Sequence, residues 1–258
     1  MEALWDGRPV IKSFLTTLKP CGWSEDHLFC GVMRADELFT YPEGMPFSEF
    51  FLPDAAPWDW VGCIKKALAG LNVEVGSGPE IPPGVHIEGA VHLDPTVKLP
   101  AYATLIGPAW IGPEVEIRPG AFVRGHVIVG RGSVLGNACE YKNCLLLEDV
   151  ETPHYNYVGD SVLGNRAHLG AGAICANLKL ARDEVSVELP SGKRQQTGMR
   201  KLGGLLGDGA EASCNCVLQP GTVLGRGSAV LAPSFSGYLA EQKIIHARFE
   251  TLVTSRPT

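Results

Sequence analysis

The sequence predicts an all-β protein that winds as a parallel β-helix of about seven coils. Large apolar side chains recur every six residues, and turn residues lie between them. A helix repeats near 3.6 residues and an exposed strand near 2, so short strands that meet at corners explain a period of six. Three hexads close one triangular coil. The large positions are Ile81, Ile87, Leu93, Leu99, Leu105, Ile111, Ile117, Val123, Val129, Leu135, Tyr141 and Leu147.

The second half of each hexad carries a small residue, as at Ala103, Ala109 and Ala121, and pairs such as Gly107-Pro108 favour corners. The period slips at residues 151–156. It resumes at Tyr157, Leu163, Leu169 and Cys175, and again at Leu206, Ala212, Leu218, Leu224 and Val230. The slip and residues 179–203 are therefore predicted to be insertions, which in solenoids often build the binding surface.

Three regions follow from this pattern. Pro57 is predicted to begin a helix that runs to about Leu71, because proline favours the first helical position. This helix and its preceding loop are expected to cap an open end of the solenoid. The predicted regions are an N-terminal loop and helix segment at 1–80, the β-helix domain at 81–235 with a projecting hairpin at 179–203, and a C-terminal tail at 236–258.

Charge and composition exclude several classes of protein. The net charge is −6, with a pI near 5.7, so neither a nucleic acid nor an anionic membrane is an expected partner. There is no apolar run of membrane-spanning length and no secretory leader pattern, and the eight cysteines lack metal-ligand spacing. These features predict a cytoplasmic protein with free thiols.

A pair of basic residues indicates a possible site. Arg124 and Lys142 are eighteen residues apart, so they should stack on one face of neighbouring coils. Two cations at about 5 Å repel each other unless an anion lies between them. His154 follows in the first insertion, so a phosphate beside a histidine base is one interpretation. Surface charge without function is the alternative. The basic residues Lys193, Arg194, Arg200 and Lys201 of the hairpin region allow the same two interpretations.

Several motifs carry a family resemblance. The run His154-Tyr155-Asn156-Tyr157-Val158-Gly159-Asp160-Ser161, followed by Leu169-Gly170-Ala171-Gly172 and Ala176-Asn177-Leu178, resembles one group of hexapeptide-repeat acyltransferases. This is the acetyltransferase half of the bifunctional glucosamine-1-phosphate N-acetyltransferase/N-acetylglucosamine-1-phosphate uridyltransferase. The segment 197–203 resembles its archaeal-type sugar-1-phosphate nucleotidylyltransferase relatives. The resemblance implies a left-handed β-helix and a homotrimer. The glycine-rich nucleotidyltransferase signature is absent, so uridylyl transfer is not expected.

The resemblance also implies a role for each matching residue. His154 matches the general base that takes a proton from the sugar amine. The matching substrate-binding residues are Arg124, Lys142 and Lys201 for the sugar phosphate, Tyr157 and Asn177 for the amino sugar, and His168 in place of an asparagine that contacts the sugar. Cys214 stands where the family has a serine on the acetyl-CoA side. Acetyl-CoA is the implied co-substrate, and acetyl transfer by this route requires no metal.

Two functions remain open from the sequence. The first is an acetyl-CoA-dependent N-acetyltransferase that acts on an amino-sugar phosphate, such as glucosamine-1-phosphate, in nucleotide-sugar and cell-envelope precursor synthesis. The second is a non-catalytic sugar-phosphate-binding or trimeric scaffold subunit related to UDP-N-acetylglucosamine pyrophosphorylase, which would partner a separate nucleotidyltransferase. For single residues, a hydrogen-bonded loop histidine at His154 and an internal polar ladder at Asn177 are the structural alternatives.

Overall fold

The computed structural model describes residues 33–71, 73 and 78–248. They form a left-handed parallel β-helix with a covering segment on one side, which confirms the predicted fold class. Strands are numbered β1 to β25 along the chain, and three parallel sheets form the walls of the prism, named here faces A, B and C.

Each face is a stack of short strands, one from each coil. Face A contains β1 (Gly84–Glu88), β3 (Tyr102–Ile106), β6 (Phe122–Arg124), β9 (Glu140–Lys142), β12 (Tyr157–Gly159), β15 (Ile174–Cys175), β20 (Val217–Leu218) and β23 (Ser234–Phe235). Face B contains β2 (Val91–Leu93), β4 (Ala109–Ile111), β7 (Val127–Val129), β10 (Cys144–Leu146), β13 (Val162–Leu163), β18 (Leu205–Leu206), β21 (Val223–Leu224) and β24 (Tyr238–Leu239). Face C contains β5 (Glu116–Ile117), β8 (Val134–Asn137), β11 (Glu151–His154), β14 (His168–Leu169), β19 (Glu211–Ala212), β22 (Ala229–Leu231) and β25 (Ile244–His246).

Equivalent residues of successive coils pair in register. Leu105 lies opposite Val123, and Val123 lies opposite Tyr141, so these coils repeat every eighteen residues. All three side chains are fully buried in the central core. Burying this apolar column removes its surface from water, at roughly 25 cal/mol per Å², and thereby stabilises the winding.

The predicted first insertion, residues 151–156, is corrected by the structure. Its first four residues form strand β11, which pairs with β8 and continues face C without a break. The six-residue period is hidden because Thr152 occupies an inward position that is otherwise apolar. This buried threonine shares a 2.6 Å hydrogen bond with the hydroxyl of Tyr141, so a polar pair satisfies itself inside the core.

The period also slips because two coils lack one residue each. Tyr141 lies opposite Val158, a spacing of seventeen residues, and Val158 lies opposite Cys175 at the same spacing. Val158 therefore faces the core, while Tyr157, which the period assigned to the core, faces outwards. The deletion likewise makes Leu146 rather than Leu147 the inward residue of its strand.

The winding extends past residue 235, where the sequence analysis places its end. Faces A and B each contain eight strands, so there is one coil more than the seven predicted. The last coil includes β24 and β25, within the region assigned to a tail. Phe235, Leu239 and Ile245 pack against the core, but Phe235 follows Val230 by five residues and Leu239 follows Phe235 by four, so the six-residue period is lost before the last coil.

The N-terminal segment covers a side of the prism, which corrects the expectation of an end cap. It contains two short 3₁₀ turns, Ala35–Glu37 and Ser48–Phe50, and helix α1 (Pro57–Ala67), which starts at the predicted proline and ends before the predicted Leu71. The residues that it buries are an outward-facing apolar row on face B, namely Ile128, Leu145, Val162, Leu205 and Val223. An apolar row along one wall can be buried only from the side.

A polar clamp fixes this segment to the coils. Arg226 donates hydrogen bonds to the carboxylate of Asp208 (2.7 Å) and to the backbone carbonyl oxygens of Asp36 (2.9 Å) and Glu37 (3.2 Å). The backbone N–H of Thr40 donates to the same carboxylate at 3.0 Å. The clamp therefore satisfies polar groups at the edge of the apolar contact.

The second insertion contains the predicted hairpin. Strands β16 (Ser186–Glu188) and β17 (Arg194–Gln196) pair antiparallel. Val185 and Val187 are fully buried and join the same apolar cluster as helix α1, so one side of the insertion is held against the coils. Within the described ranges, α1 and the other helices are too short and too polar to cross a bilayer.

The Trp60→Ala variant tests the attachment of the covering segment. Trp60 is 1% exposed, packs on Phe39 and Phe51, and donates a 2.9 Å hydrogen bond to the carbonyl oxygen of Leu52. We expect its loss to lower the free energy of unfolding by about 3–5 kcal/mol in urea titrations. The matched control, Leu180→Ala at a fully exposed site, should leave the urea midpoint unchanged. Equal midpoints for both variants would contradict the described packing.

Candidate functional site

A hydrogen-bonded network lies at the corner between faces A and B, with Asp160 at its centre. Its carboxylate accepts hydrogen bonds from Lys142 (3.1 Å), Asn143 (2.8 Å) and Asn177 (2.5 Å). The side chain of Asp160 is 7% exposed, so the Lys142 ammonium balances a nearly buried charge. Asn143 and Asp160 have left-handed backbone conformations, with φ of 47° and 48°, which turn the chain at this corner.

Tyr157 extends this network across face A. The amide of Asn177 donates to its hydroxyl oxygen at 3.1 Å, and Asn177 thereby links Tyr157 to Asp160. Burial raises the pKa of Tyr157, so the phenol stays neutral and keeps a proton to donate. A side chain at Gly159 would collide with the Tyr157 hydroxyl and the Asn177 amide, so glycine is needed for this close approach.

The two stacked cations occupy one outward row of face A. Arg124 continues the row from Ile106, and Lys142 follows one coil later. They do not share an anion. Arg124 forms an ion pair with Glu140, and Lys142 forms one with Asp160. Protein carboxylates therefore offset the repulsion that the sequence analysis assigned to a bound phosphate.

A basic cleft opens beside Lys142. It has a volume of about 750 Å³, and its walls come from helix α1, the corner between faces A and B, and the two ends of the hairpin insertion. Asp160 is the one carboxylate among the described lining residues, and it is already paired. Five basic side chains line the cleft: Lys65, Lys142, Arg182, Arg200 and Lys201. Of the basic hairpin residues singled out in the sequence, Arg200 and Lys201 reach it, whereas Arg194 pairs with Glu188.

Two further polar residues lie at this corner, and Asn143 is the one that lines the cleft. Asn143 is 8% exposed, and no donor within the described residues reaches its Oδ1 atom. An unpaired buried acceptor costs about 1–3 kcal/mol. His126 lies one coil before Asn143, and its pKa is lowered by burial and by the positive charges of Lys65 and Lys142. Lys65, from helix α1, and Lys142, from face A, therefore both lie close enough to His126 to influence its charge.

His154 lies at a different corner, between faces C and A. It ends strand β11, and its backbone is fixed by Asn156, whose side chain accepts from the His154 N–H at 3.2 Å. Asn156 is buried and donates to the carbonyl oxygens of Gly170 and Ala173. The imidazole is exposed, three residues from Tyr157, and does not line the basic cleft.

His168 and Cys214 lie apart from the network. His168 is on face C, where the register places it between Glu151 and Glu211. Cys214 is exposed at the corner between faces C and A, and the register places it two coils from His154. The structure thus joins Lys142, Tyr157 and Asn177 directly, and it brings Lys201 to the adjoining cleft. In the described part of the chain, no three histidine, cysteine or acidic side chains form a metal site.

Comparison with known proteins agrees with the motifs. Residues 105–191 match the family model of the GMPPB C-terminal domain. The bifunctional sugar-1-phosphate nucleotidylyltransferase/acetyltransferase of Sulfurisphaera tokodaii is 30% identical over 179 residues, which cover 69% of this chain and 44% of that protein. The bifunctional protein GlmU of Methanocaldococcus jannaschii is 28% identical over 183 residues, covering 71% and 44%. The chain is a homologue of these bifunctional enzymes.

The similarity to these relatives covers only part of their length. The chain spans less than half the length of the curated relatives named above. Among solved structures, the hexapeptide transferase family protein from Anaplasma phagocytophilum aligns with 66% of this chain and 80% of its own, at 16% identity and a TM-score of 0.30. The residues that match the family model, 105–191, lie within the β-helix and its hairpin insertion, and the architecture itself rests on the sheet topology described above.

Asp160, the central residue of the network, is not among the site residues predicted from the sequence. Asp160 follows Lys142 by eighteen residues, the same spacing that linked Lys142 to Arg124, and the backbone N–H of Asp160 donates to the carbonyl oxygen of Lys142 at 2.9 Å. The register of this seventeen-residue coil nevertheless places Gly159 opposite Lys142 and Asp160 opposite Asn143, so the eighteen-residue rule for outward rows does not account for the contact. Lys65 and Arg182 had no comparable signal, because they reach the cleft from outside the repeat.

The Asp160→Ala variant tests the network. Removing the carboxylate leaves three donors without their common acceptor and leaves Lys142 without its counter-charge. We expect the free energy of unfolding to fall by about 2–4 kcal/mol in urea titrations. The control is Asp183→Ala, which removes an exposed carboxylate paired with Lys179 and should not move the midpoint. Indistinguishable midpoints would show that the network does not stabilise the corner.

Proposed function

We propose that this protein is an acetyl-CoA-dependent N-acetyltransferase that acts on an amino-sugar phosphate such as glucosamine-1-phosphate. One observation carries the proposal. Lys142, Tyr157 and Asn177, which the family motifs assign to the substrate from separate parts of the sequence, form one connected network at the surface. The names of the bifunctional relatives, which include acetyl transfer and sugar-1-phosphate chemistry, support the same conclusion.

The spacing along face A suits a substrate of this size. Strand β12 (Tyr157–Gly159) separates the cationic edge of the face from the corner that carries His154. Three residues of strand span about 10 Å, which is comparable with an extended hexosamine phosphate. The phosphate would lie at Arg124, Lys142 and Lys201, with the sugar over Tyr157 and Asn177. The substrate amine would then point towards His154.

His154 is assigned the role of general base. Its imidazole accepts the proton of the sugar amine as the nitrogen attacks the thioester carbonyl carbon. The C–S bond then breaks, and coenzyme A leaves as a thiolate that takes up a proton from water. An exposed imidazole can exchange this proton with water between turnovers. Cys214, on the same corner, is assigned to the acetyl-CoA side, and His168 is assigned to the outer part of the sugar site.

A homotrimer is part of this proposal. Face B is covered by the N-terminal segment, whereas apolar side chains remain exposed on faces A and C and at their common corner. Among the described residues these are Tyr102, Tyr155, Ile174, Leu231 and Ile244. Closed symmetric packing of those faces would bury them and form clefts between subunits, beside His154 and Tyr157. The cytoplasmic location expected from the sequence remains a prediction.

The His154→Gln variant tests the catalytic assignment. We expect kcat to fall about 10²–10⁴-fold while KM for the sugar phosphate changes little, because the base acts in the transition state. Release of coenzyme A thiol from acetyl-CoA, measured across a panel of amino-sugar phosphates, provides the rate. His86→Gln is the control, since His86 is an exposed histidine elsewhere on face A.

Two results would overturn this assignment. Unchanged turnover in His154→Gln would remove the general base. The second such result is that the wild-type protein binds sugar phosphates without consuming thioester. That result would favour the second function, a non-catalytic subunit that partners a separate nucleotidyltransferase.

The oligomeric state can be measured independently. Light scattering coupled to gel filtration should give a mass three times that of one 27.6 kDa chain. Ile174→Glu places a charge on an exposed apolar site of face A and should shift the mass towards the monomer. A wild-type monomer with full activity would exclude a site shared between subunits.

A further inference from the structure

We propose that the basic cleft between helix α1 and the hairpin insertion is a diphosphate-binding site whose ligand also donates a hydrogen bond to Asn143. The proposal concerns binding alone, and it would stand if acetyl transfer were absent. The cleft shares Lys142 and Lys201 with the proposed sugar-phosphate contacts, and Lys65 and Arg182, which lie outside the matched motifs, extend it to a second phosphoryl group.

The charge of the cleft exceeds what one phosphate needs. Asp160 balances Lys142, which leaves Lys65, Arg182, Arg200 and Lys201 without a carboxylate partner in the described structure. A phosphate monoester carries about −1.5 to −2 charges at neutral pH. Two adjoining phosphoryl groups match four cations better than one does. This cluster of basic side chains contrasts with the net charge of −6 of the whole chain.

The walls of the cleft place these cations around a common space. Lys65 comes from helix α1, Arg182 from the start of the hairpin insertion, and Lys201 from its end. The guanidinium of Arg200 donates to the carbonyl oxygen of Arg182 at 3.2 Å, so the two arginines are held near each other. At about 750 Å³ the cleft falls within the range of small-molecule sites.

Asn143 supplies an independent indication of a ligand. Its Nδ2 atom lies 2.8 Å from Oδ1 of Asp160, and a carboxylate only accepts, so this contact fixes the orientation of the amide. The Oδ1 atom is thereby committed as an acceptor, yet no described donor reaches it. A hydroxyl or N–H group on the ligand would satisfy it. A nucleoside diphosphate moiety carries both a diphosphate and such donors.

Titration calorimetry on the full chain at low salt tests the proposal, with inorganic phosphate and pyrophosphate as the first probes. Pyrophosphate should bind at least about tenfold more tightly than phosphate. Lys65→Gln and Arg182→Gln should each weaken pyrophosphate about tenfold. The control, Lys193→Gln, removes a cation from the same insertion but outside the cleft and should bind normally. Equal binding of the two probes, or normal binding by the cleft variants, would overturn the proposal.

A second measurement locates the bound anion. Besides burial, the positive charges of Lys65 and Lys142 lower the pKa of His126. A diphosphate bound between those cations should offset their charge and raise this pKa in NMR titrations. The resonance is assigned by its loss in His126→Gln. An unchanged His126 pKa at saturating pyrophosphate would place the anion elsewhere and refute the assignment.

Two natural sources of the diphosphate can then be separated. Uridine diphosphate represents a nucleotide-linked sugar, and coenzyme A carries an adenosine diphosphate moiety. The source that binds more tightly, and is weakened by Lys65→Gln, is the ligand of the cleft. Asn143→Gly keeps the left-handed backbone and should weaken that nucleotide several-fold more than it weakens pyrophosphate. Failure of either nucleotide to bind as tightly as pyrophosphate would contradict the role of Asn143.

Discussion

The hydrogen-bonded register between successive coils is the constraint on which the rest of this structure depends. Each strand pairs with the equivalent strand of the next coil, about 4.8 Å away, so coil length decides which side chains become neighbours. Coils of eighteen residues place Lys142 in the same outward row as Arg124. Coils of seventeen residues place Asn143 beside Asp160 and Tyr157 beside Glu140. The candidate site is therefore specified by the length of the coils as much as by the identity of its residues.

The corner between faces A and B shows how this constraint produces a polar site. His126, Asn143 and Asp160 are consecutive equivalents at this corner, and all three have positive φ. Histidine, asparagine and aspartate adopt this conformation more readily than most residues, so polar side chains stack where the chain turns. Helix α1 and the hairpin insertion then enclose the corner from two sides. The turns that the winding requires thus form the floor of the cleft, and elements outside the repeat contribute four of its five basic side chains.

The limits of sequence reasoning here have identifiable causes. The six-residue period predicts the winding because every inward position must be filled by an apolar side chain or a satisfied polar one. Thr152 belongs to the second kind, and its bond to Tyr141 is invisible in the sequence, so a continuous strand was interpreted as an insertion. The row of Arg124 and Lys142 was predictable from an eighteen-residue spacing, whereas Asp160 lies opposite Asn143 in a coil of seventeen residues that the period did not reveal. The ion pair between Arg124 and Glu140 was not predictable, because each charged side chain has several possible partners in the adjacent coils.

By itself, the sequence determined the wound prism, the start of helix α1 and the hairpin between Ser186 and Gln196, since each depends on local periodicity or turn chemistry. Only the tertiary structure decided that the N-terminal segment covers face B, that Lys65 meets Lys142 at one cleft, and that the Oδ1 atom of Asn143 lacks a partner. These features arise from packing between segments far apart in the chain. An apolar segment can pack against more than one apolar surface, so its local sequence pattern does not specify which surface it covers.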